Sequence, residues 1–261
     1  MNTQHERNFL KTLARGLRVF VAFTPEHPEA SLKEISEILE VDSSTASRFV
    51  YTLESLGYLE RSPETKLYRV SPKTHTLTVS LSGPRNLRKV CQPFLEDLRD
   101  TTGETSVLGI RDANEMVILE VVETKHHLVP RGWIGGRVPV YCSAMGKAVL
   151  ANLPHSVVIR LLDTLSLQSF TPNTITNRMD FLDELKQSYE RGWSLNREEY
   201  TEGIISIGAP IFSVDKEIVG AICVDVPTVR LQSEEHLEQV ARKVMETAQG
   251  ISNIGSYNQL E

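Results

Sequence analysis

The stretch VDSSTASRFVYTLESLGYLER, from Val41 to Arg61, carries the clearest structural signal in the sequence. Asp42 or Ser43 can cap the start of a helix, because a short polar side chain accepts hydrogen bonds from the first free backbone N–H groups. Apolar residues then recur at helical spacing, namely Phe49, Val50, Leu53 and Leu56. We therefore predict a helix that starts at about residue 43, reaches about residue 56 and turns these four side chains inward.

A second helix is predicted just before this one. Ser31 is followed three residues later by Glu34, which is the spacing of a capping box, and a short apolar stripe runs from there to Leu39. Only the tight turn EVD separates the two helices, so they form a helix-turn-helix pair. Downstream, GYLERSPETKLYRV alternates in polarity on either side of a Pro-containing turn and predicts a small β-hairpin.

Residues 10–23 carry the periodicity of an amphipathic helix. Its apolar positions are Leu10, Leu13, Leu17, Phe20 and Val21, and its basic ridge consists of Lys11, Arg15 and Arg18. A solvated face explains this ridge as well as a phosphate-facing one does. Three helices followed by a hairpin match a winged helix-turn-helix domain.

The third helix of this module begins with the side chains of a recognition helix. Small residues there let the backbone approach base edges, and its N–H groups can reach a phosphate. Arg48 can bind guanine or phosphate, while the hairpin can reach neighbouring phosphates or the minor groove. The alternative is an N-cap cluster on an ordinary helical bundle. The predicted DNA-binding residues are Ser43, Ser44, Thr45, Ser47, Arg48, Tyr51, Arg61 and Lys66.

The net charge of −6 does not argue against DNA binding. Residues 1–75 contain ten basic and ten acidic side chains, so the acidic excess lies in the remainder, with 18 basic and 24 acidic side chains. Binding to phosphates responds to the local potential and not to the total charge.

Composition also bounds the class of protein. The three cysteines are widely spaced and show neither a disulfide framework nor metal-ligand spacing. The N-terminus lacks the apolar core of a signal peptide, and no apolar run approaches the length of a membrane span. The sequence thus favours a cytoplasmic protein without a membrane partner, a metal site or another cofactor.

The remainder of the chain predicts an α+β domain. Strands are expected at TSVLGIRD, EMVILEVVET, GIISIGAPIFS and EIVGAICVDVP, and helices at CSAMGKAVLANL, SVVIRLLDTL, MDFLDELKQSYERG and residues 234–251. This order favours an antiparallel sheet flanked by helices. A helical stripe from Leu87 to Leu98 is interpreted as a linker helix that docks onto this domain. The expected boundaries are 1–82, 83–103 and 104–261.

The whole chain resembles the IclR family of bacterial transcription regulators. Five motifs match in order: SSTASRFVYTLESLGYL, GETSVLGIRD, GGRVPVYCSAMGKAVLA, NREEYTEGIISIGAPIF and EIVGAICVDVP. After the wing this chain reads YRVSPKTH, where many members have Leu-Gly. The resemblance implies an N-terminal winged helix-turn-helix, a linker helix and a C-terminal GAF-like domain that binds an effector and mediates oligomerisation.

The resemblance also implies a function. Such a protein is a homodimer, or a dimer of dimers that forms a homotetramer, and it binds a pseudo-palindromic double-stranded operator. We expect a repressor of a catabolic operon that senses a small carboxylate such as a sugar-derived or keto acid. The alternative is an activator that responds to an aromatic acid. Either effector would act through the linker helix by favouring one arrangement of the domains.

The effector pocket can be predicted in part from physical chemistry. An anionic ligand in a dry cavity needs donors, and a helix N-terminus supplies backbone N–H groups, here at Ser143, Ala144 and Met145. The preceding segment could wall the cavity with Leu128, Pro130, Trp133 and Tyr141. The resemblance adds, from the family's pocket motif, Asn196, Ile204, Ser206 and Cys223. Asn196 stands where relatives often carry an acid, and an amide suits a polyol acid.

Some candidate residues also have simpler structural explanations, and two other functions of the protein are alternatives. Cys142 and Cys223 fit small core residues, and Arg137 fits a loop anchor as well as a carboxylate contact. An enzyme is a remote alternative, because no motif combines a nucleophile, a base and an orienting group, and no catalytic residue is predicted. An architectural DNA binder would need a basic surplus that the chain lacks.

Overall fold

The structure, a computed structural model, describes residues 9–24, 27–74, 87–126 and 133–254. Contacts between Cα atoms divide the chain into two compact units, Met1–Gly83 and Pro84–Glu261. Among these residues, no helix combines the length and the hydropathy of a membrane span.

The first unit is a winged helix-turn-helix. Its elements are helix α1 (Lys11–Arg18), a 3₁₀ turn (Val19–Ala22), strand β1 (Glu29–Ala30), α2 (Leu32–Leu39), α3 (Ser43–Ser55), β2 (Leu59–Arg61) and β3 (Tyr68–Val70). The strands form an antiparallel sheet in the order β1-β3-β2. The hairpin of β2 and β3 confirms the predicted wing. Strand β1 was not predicted, because two residues are too few to show an alternating pattern.

Caps read from the sequence position the two helices of the motif. The Ser31 hydroxyl accepts a hydrogen bond from the Glu34 N–H at 3.3 Å, and the Glu34 carboxylate accepts one from the Ser31 N–H at 2.7 Å. Asp42 caps α3 by accepting a hydrogen bond from the Thr45 N–H at 2.9 Å. The predicted capping box and the predicted cap of the third helix are therefore both present.

The core of this unit lies where α2, α3 and the 3₁₀ turn meet the wing. Its most buried members include Val19, Ile35, Leu39, Val50 and Leu59. Of the four side chains predicted to point inward from α3, Phe49, Val50 and Leu53 join this core. Leu56 does not, because α3 ends at Ser55, and it is exposed.

Most of the apolar stripe of the first helix does not face the core of its own unit. The α-helix is shorter than predicted and gives way to the 3₁₀ turn at Val19, which carries the buried contacts. No residue of α1 is buried. Of the predicted stripe, Phe20 packs against the core, whereas the other four residues and their N-terminal neighbour Phe9 are 59–69% exposed. We name these residues the α1 stripe: Phe9, Leu10, Leu13, Leu17 and Val21.

The second unit is a six-stranded antiparallel sheet with helices on both faces, as the α+β prediction required. Its helices are α4 (Leu87–Thr102), α5 (Ala144–Ala151), α6 (His155–Thr164), α7 (Arg178–Arg191) and α8 (Glu234–Ile254). Its strands are β4 (Thr105–Asp112), β5 (Glu115–Val122), β6 (Arg137–Pro139), β7 (Ser194–Arg197), β8 (Ile204–Phe212) and β9 (Ile218–Pro227). The two short edge strands, β6 and β7, were not predicted.

The strand order is β6-β5-β4-β9-β8-β7, and it divides the core of this unit into two layers. Helices α4 and α8 pack on one face against residues such as Ile207 and Val224. Helices α5, α6 and α7 pack on the other face, where Val107 and Cys223 belong to the same buried cluster as α5. The helix interpreted as a linker is α4, and its buried residues, Leu95 among them, lie in the first of these layers.

Candidate DNA-binding face and effector cavity

The start of α3 presents a polar, exposed face. Ser43, Ser47, Arg48 and Tyr51 are all exposed, and Tyr51 reaches 69%. Among the described residues, none of these four side chains has a hydrogen-bond or ion-pair partner. Unpaired donors on the first two turns of an exposed helix are suited to contacts with base edges and phosphates.

Asp42 changes the expected role of the two hydroxyls beside it. The hydroxyls of Ser44 and Thr45 both donate to the Asp42 carboxylate, at 2.5 and 2.8 Å, and these bonds hold the pKa of Asp42 well below its usual range. The carboxylate thus stays ionised at the N-terminus of α3. It opposes the approach of a phosphate to that end, so the prediction that N–H groups there bind phosphate loses support.

The wing carries the other predicted DNA contacts. Arg61 and Lys66 are both exposed. The Arg61 guanidinium donates to the Lys66 carbonyl at 3.2 Å and stacks over the Tyr68 ring, with 5.2 Å to the ring centroid. Arg61 therefore braces the wing, and Lys66 is the wing cation whose side chain has no partner among the described residues.

A cavity of about 340 Å³ lies between α5 and the sheet of the second unit. This volume is in the range of small-ligand sites. It brings together residues from α5, the strands and the loop after β7. Seven of the predicted effector residues line it: Ser143, Ala144, Met145, Asn196, Ile204, Ser206 and Cys223.

Cross-strand register explains how distant residues meet in this cavity. Asn196 on β7 pairs with Ser206 on β8, and Ser206 pairs with Asp225 on β9. Cys223, two residues before Asp225, points to the same face because side chains alternate along a strand. A polar row thus crosses three neighbouring strands on the face that α5 covers.

Helix α5 supplies the opposite wall. The Ser143 hydroxyl caps the helix by accepting from the Gly146 N–H at 3.1 Å. The N–H groups of Ala144 and Met145 have no acceptor among the described residues, and both residues line the cavity. This end of the helix can therefore donate to an electronegative group of a ligand. Gly208 allows the close approach, since a Cβ there would lie 2.8 Å from the Ala144 carbonyl group.

Asn196 holds two segments of the wall in place. Its Nδ2 donates to the Cys142 carbonyl at 2.8 Å, and its Oδ1 accepts from the Glu199 N–H at 2.7 Å. One N–H and one acceptor position of the amide remain for a ligand. The side chain is therefore a structural brace as well as a cavity-lining group, which the sequence-based interpretation did not include.

A buried ion pair anchors the loop that closes the cavity beyond β7. Lys147 on α5 is fully buried, and its ammonium lies 2.5 Å from Glu199 Oε1 and 3.7 Å from Glu184 Oε1. Burial raises the pKa of Glu199, and the charge of Lys147 opposes this rise. The next three residues, Tyr200, Thr201 and Glu202, all line the cavity. Adjacent Glu198 turns away and accepts from the Gly203 N–H, so the two glutamates share no site.

The other predicted pocket residues lie elsewhere. Tyr141 is buried behind the wall and donates to the Gln168 carbonyl at 2.8 Å, and Trp133 is partly exposed and does not line the cavity. Leu128 and Pro130 lie outside the described residues. The walls that the sequence-based interpretation missed are Val107, Ile118, Val138, Tyr200, Thr201, Glu202 and Asp225. Of these, only Asp225 was within reach of a pattern, as the same-face neighbour of Cys223.

The simpler readings apply to two other candidates. Arg137 pairs with Asp112 at 2.6 Å and with Glu115 at 2.8 Å on the exposed end of the β4–β5 hairpin, and it is thus a loop anchor. Cys142 is fully buried among apolar side chains, and burial raises the pKa of its thiol to about 12. Cys223 is buried as well, but it faces the cavity.

A winged helix-turn-helix followed by a ligand-sized cavity defines a class of DNA-binding transcription regulators. Two family models match this chain: the IclR helix-turn-helix domain over residues 12–63, and the bacterial transcriptional regulator IclR C-terminal domain over residues 80–253. The chain belongs to the IclR family of transcription regulators.

Known proteins are similar to this chain over most of its length. The DNA-binding transcriptional repressor YiaJ of Escherichia coli is 30% identical over 93% of this chain and 87% of its own length. The transcriptional regulator XynR of E. coli is 28% identical over 87% of this chain and 90% of its own. An IclR homologue from Microbacterium hydrocarbonoxydans, solved in complex with 4-hydroxybenzoate, superposes with a TM-score of 0.82 at 26% identity, covering 93% of this chain and 98% of that one.

Proposed function

We propose that this protein is a homodimeric repressor of a catabolic operon that reads a pseudo-palindromic operator with α3 and senses a small carboxylate in the cavity under α5. The observation that carries the proposal is that cavity, with free helix N–H groups on one wall and a polar row on the other. Repression is favoured over activation by the similarity to YiaJ, whose name describes a repressor.

The DNA-reading part of the proposal rests on the exposed face of α3. Arg48 is the cation best placed to bind a base edge, because it lies on the second turn and has no ion-pair partner among the described residues. Ser47 and Tyr51 flank it on the same surface, and Lys66 extends the contact onto the wing. Arg61 contributes through the shape of the wing.

Dimer formation is supported by the α1 stripe. Five neighbouring large apolar side chains that remain more than half exposed are costly in water and mark a contact surface. A second copy of the same stripe would cover them by two-fold symmetry, and it would place two α3 helices on two half-sites. A single winged helix presents few phosphate contacts, so the dimer supplies the affinity.

The effector part is supported by chemistry and by similarity. A carboxylate would accept from the Ala144 and Met145 N–H groups, while the walls around Val107 and Ile118 exclude water from its apolar part. The related structure from M. hydrocarbonoxydans was solved with 4-hydroxybenzoate, a small carboxylate, which keeps aromatic acids beside sugar-derived and keto acids as candidates. The effector can change operator affinity only to the extent that it binds one arrangement of the protein more tightly than the other.

The test is operator binding with and without effector. DNA sites are selected from a random library, and affinity is measured by fluorescence anisotropy. We expect the selected site to bind at least roughly 10³-fold more tightly than random DNA and Arg48→Ala to lose about 10- to 100-fold. Lys186→Ala, which removes an exposed cation from the second unit, is the matched control and should bind as the wild type does.

The effector is sought by a thermal-shift screen of carboxylic acids, because a ligand that favours the native state raises the melting temperature. An acid that stabilises the protein should also release the operator. Equal affinity for random and selected DNA would contradict the proposal that the protein is a sequence-specific regulator. If the effector instead tightens operator binding and raises transcription, the protein is an activator and not a repressor.

A further inference from the structure

Asp225 places a carboxylate in the wall of the cavity, where an acid was not expected. Its strand partners are Ser206 on β8 and Thr105 on β4. Cys223 Sγ lies 3.6 Å from its Oδ1. Burial raises the pKa of Asp225, and the neighbouring Ser206 and Cys223 side chains oppose the rise.

The charge balance of the cavity is unusual for a site that binds an acid. Among the described residues that line it, none is basic, and the one other acid is Glu202. Glu202 is exposed, so water screens its charge, whereas Asp225 is half-buried on the face of the sheet that α5 covers. A ligand therefore meets donors at one end of the cavity and an acceptor at the other.

The separation of these two ends follows from strand geometry. The start of α5 lies against Gly208, which pairs with Cys223, and Asp225 is two residues further along β9. Two residues of an extended strand span about 7 Å, so the donors and the carboxylate meet different ends of a ligand.

We propose that Asp225 selects effectors that carry a hydroxyl group at the end opposite their carboxylate, and that it rejects acids with a second carboxylate at that end. The proposal rests on the proposed effector site. Hydroxylated linear acids and hydroxylated aromatic acids share this chemistry. Plain keto acids and dicarboxylic acids lack the donor, so they should bind poorly.

The experiment uses matched pairs of acids that differ only at the far end. D-gluconate ends in a hydroxymethyl group where D-glucarate has a carboxylate, and 4-hydroxybenzoate has a hydroxyl where terephthalate has a carboxylate. Calorimetry on the full-length protein gives the affinity ratio within each pair. In at least one pair we expect the hydroxyl member to bind about 10-fold more tightly or better, since two enclosed carboxylates repel.

Variants then assign the ratio to Asp225. Asp225→Asn and Asp225→Ser should each reduce it about 10-fold, because an uncharged side chain no longer repels the diacid. Asp215→Asn, which changes an exposed acid between β8 and β9 outside the cavity, is the control and should leave the ratio within about twofold. Operator affinity and melting temperature of each variant show that it is folded.

Each outcome decides something different. If in both pairs the diacid binds wild type as tightly as its hydroxyl partner, the selectivity is overturned. An unchanged ratio in both Asp225 variants overturns the role of that residue, and in both cases the effector site still stands. A protein that binds its operator but none of these acids argues against the effector site and the selectivity together.

Discussion

Replacing Lys147 with Met should destabilise the second unit more than any surface charge deletion. The ammonium is fully buried and lies 2.5 Å from Glu199, and the other carboxylate oxygen, Oε2, has no hydrogen-bond partner among the described residues. The substitution keeps the volume of the side chain and removes only its charge. It leaves a buried carboxylate without a counter-ion, which costs about 3–5 kcal/mol.

The effect can be measured by urea unfolding at pH 7.5, followed by tryptophan fluorescence, because Trp133 and Trp193 both belong to the second unit. For a domain of this size, a loss of 3–5 kcal/mol lowers the melting temperature by roughly 6–20 °C. The loss should shrink as the pH falls towards 5. Without Lys147 the pKa of Glu199 rises further, so the folded state binds a proton more tightly than the unfolded state does. Protonation of Glu199 therefore stabilises the folded variant at low pH. This stabilisation is lost as the pH rises through the folded-state pKa.

Two further variants test the reasoning behind this prediction. Lys147→Met combined with Glu199→Gln removes the charge that was left unpaired and should recover more than half of the lost stability. Lys186→Met breaks an exposed pair with Glu190 and should cost less than about 0.5 kcal/mol. A single variant within 1 kcal/mol (about the size of a surface effect) of wild type, or a double variant no more stable than the single one, would refute the reasoning.

Three further predictions concern the cavity and the dimer. Asn196→Ala removes two buried hydrogen bonds and should cost about 1–3 kcal/mol in the same urea titration; an unaltered effector response would exclude Asn196 from the site. Gly208→Ala places a Cβ 2.8 Å from the main chain of Ala144 and should abolish effector-induced thermal shifts while operator binding persists; a wild-type shift would contradict this. Leu13→Glu in the α1 stripe should shift the protein towards monomers in sedimentation and weaken operator binding; an intact dimer would show that another surface joins the two copies.

Most of the elements could be predicted from sequence because their signals are local. Helix periodicity, the capping box at Ser31 and the cap at Asp42 depend on residues three or four apart, and the structure contains all three. The short strands β1, β6 and β7 escaped prediction because two to four residues show no period. The α1 stripe followed the correct spacing, but spacing alone does not distinguish a side facing the core of the same unit from a side available to a second copy.

The residues of the candidate site likewise fall into those that local patterns predict and those that only the fold brings together. Ser143, Ala144 and Met145 follow from a cap and a helix start, which are local, and the strand residues of the pocket came from the family resemblance. Asp225 was missed although it shares a strand face with Cys223, because its place beside Ser206 depends on strand order and register.

The sequence alone determined the winged helix-turn-helix, the α+β second unit, the family and the polar character of the face on α3, because each depends on short-range patterns or on motifs in order. Only the tertiary structure decided which charges meet inside the protein. It placed Lys147 against Glu199, 52 positions away in the chain, and it set Asp225 in the wall of the cavity. Pairings at such separations depend on strand register and helix packing, which no local pattern encodes.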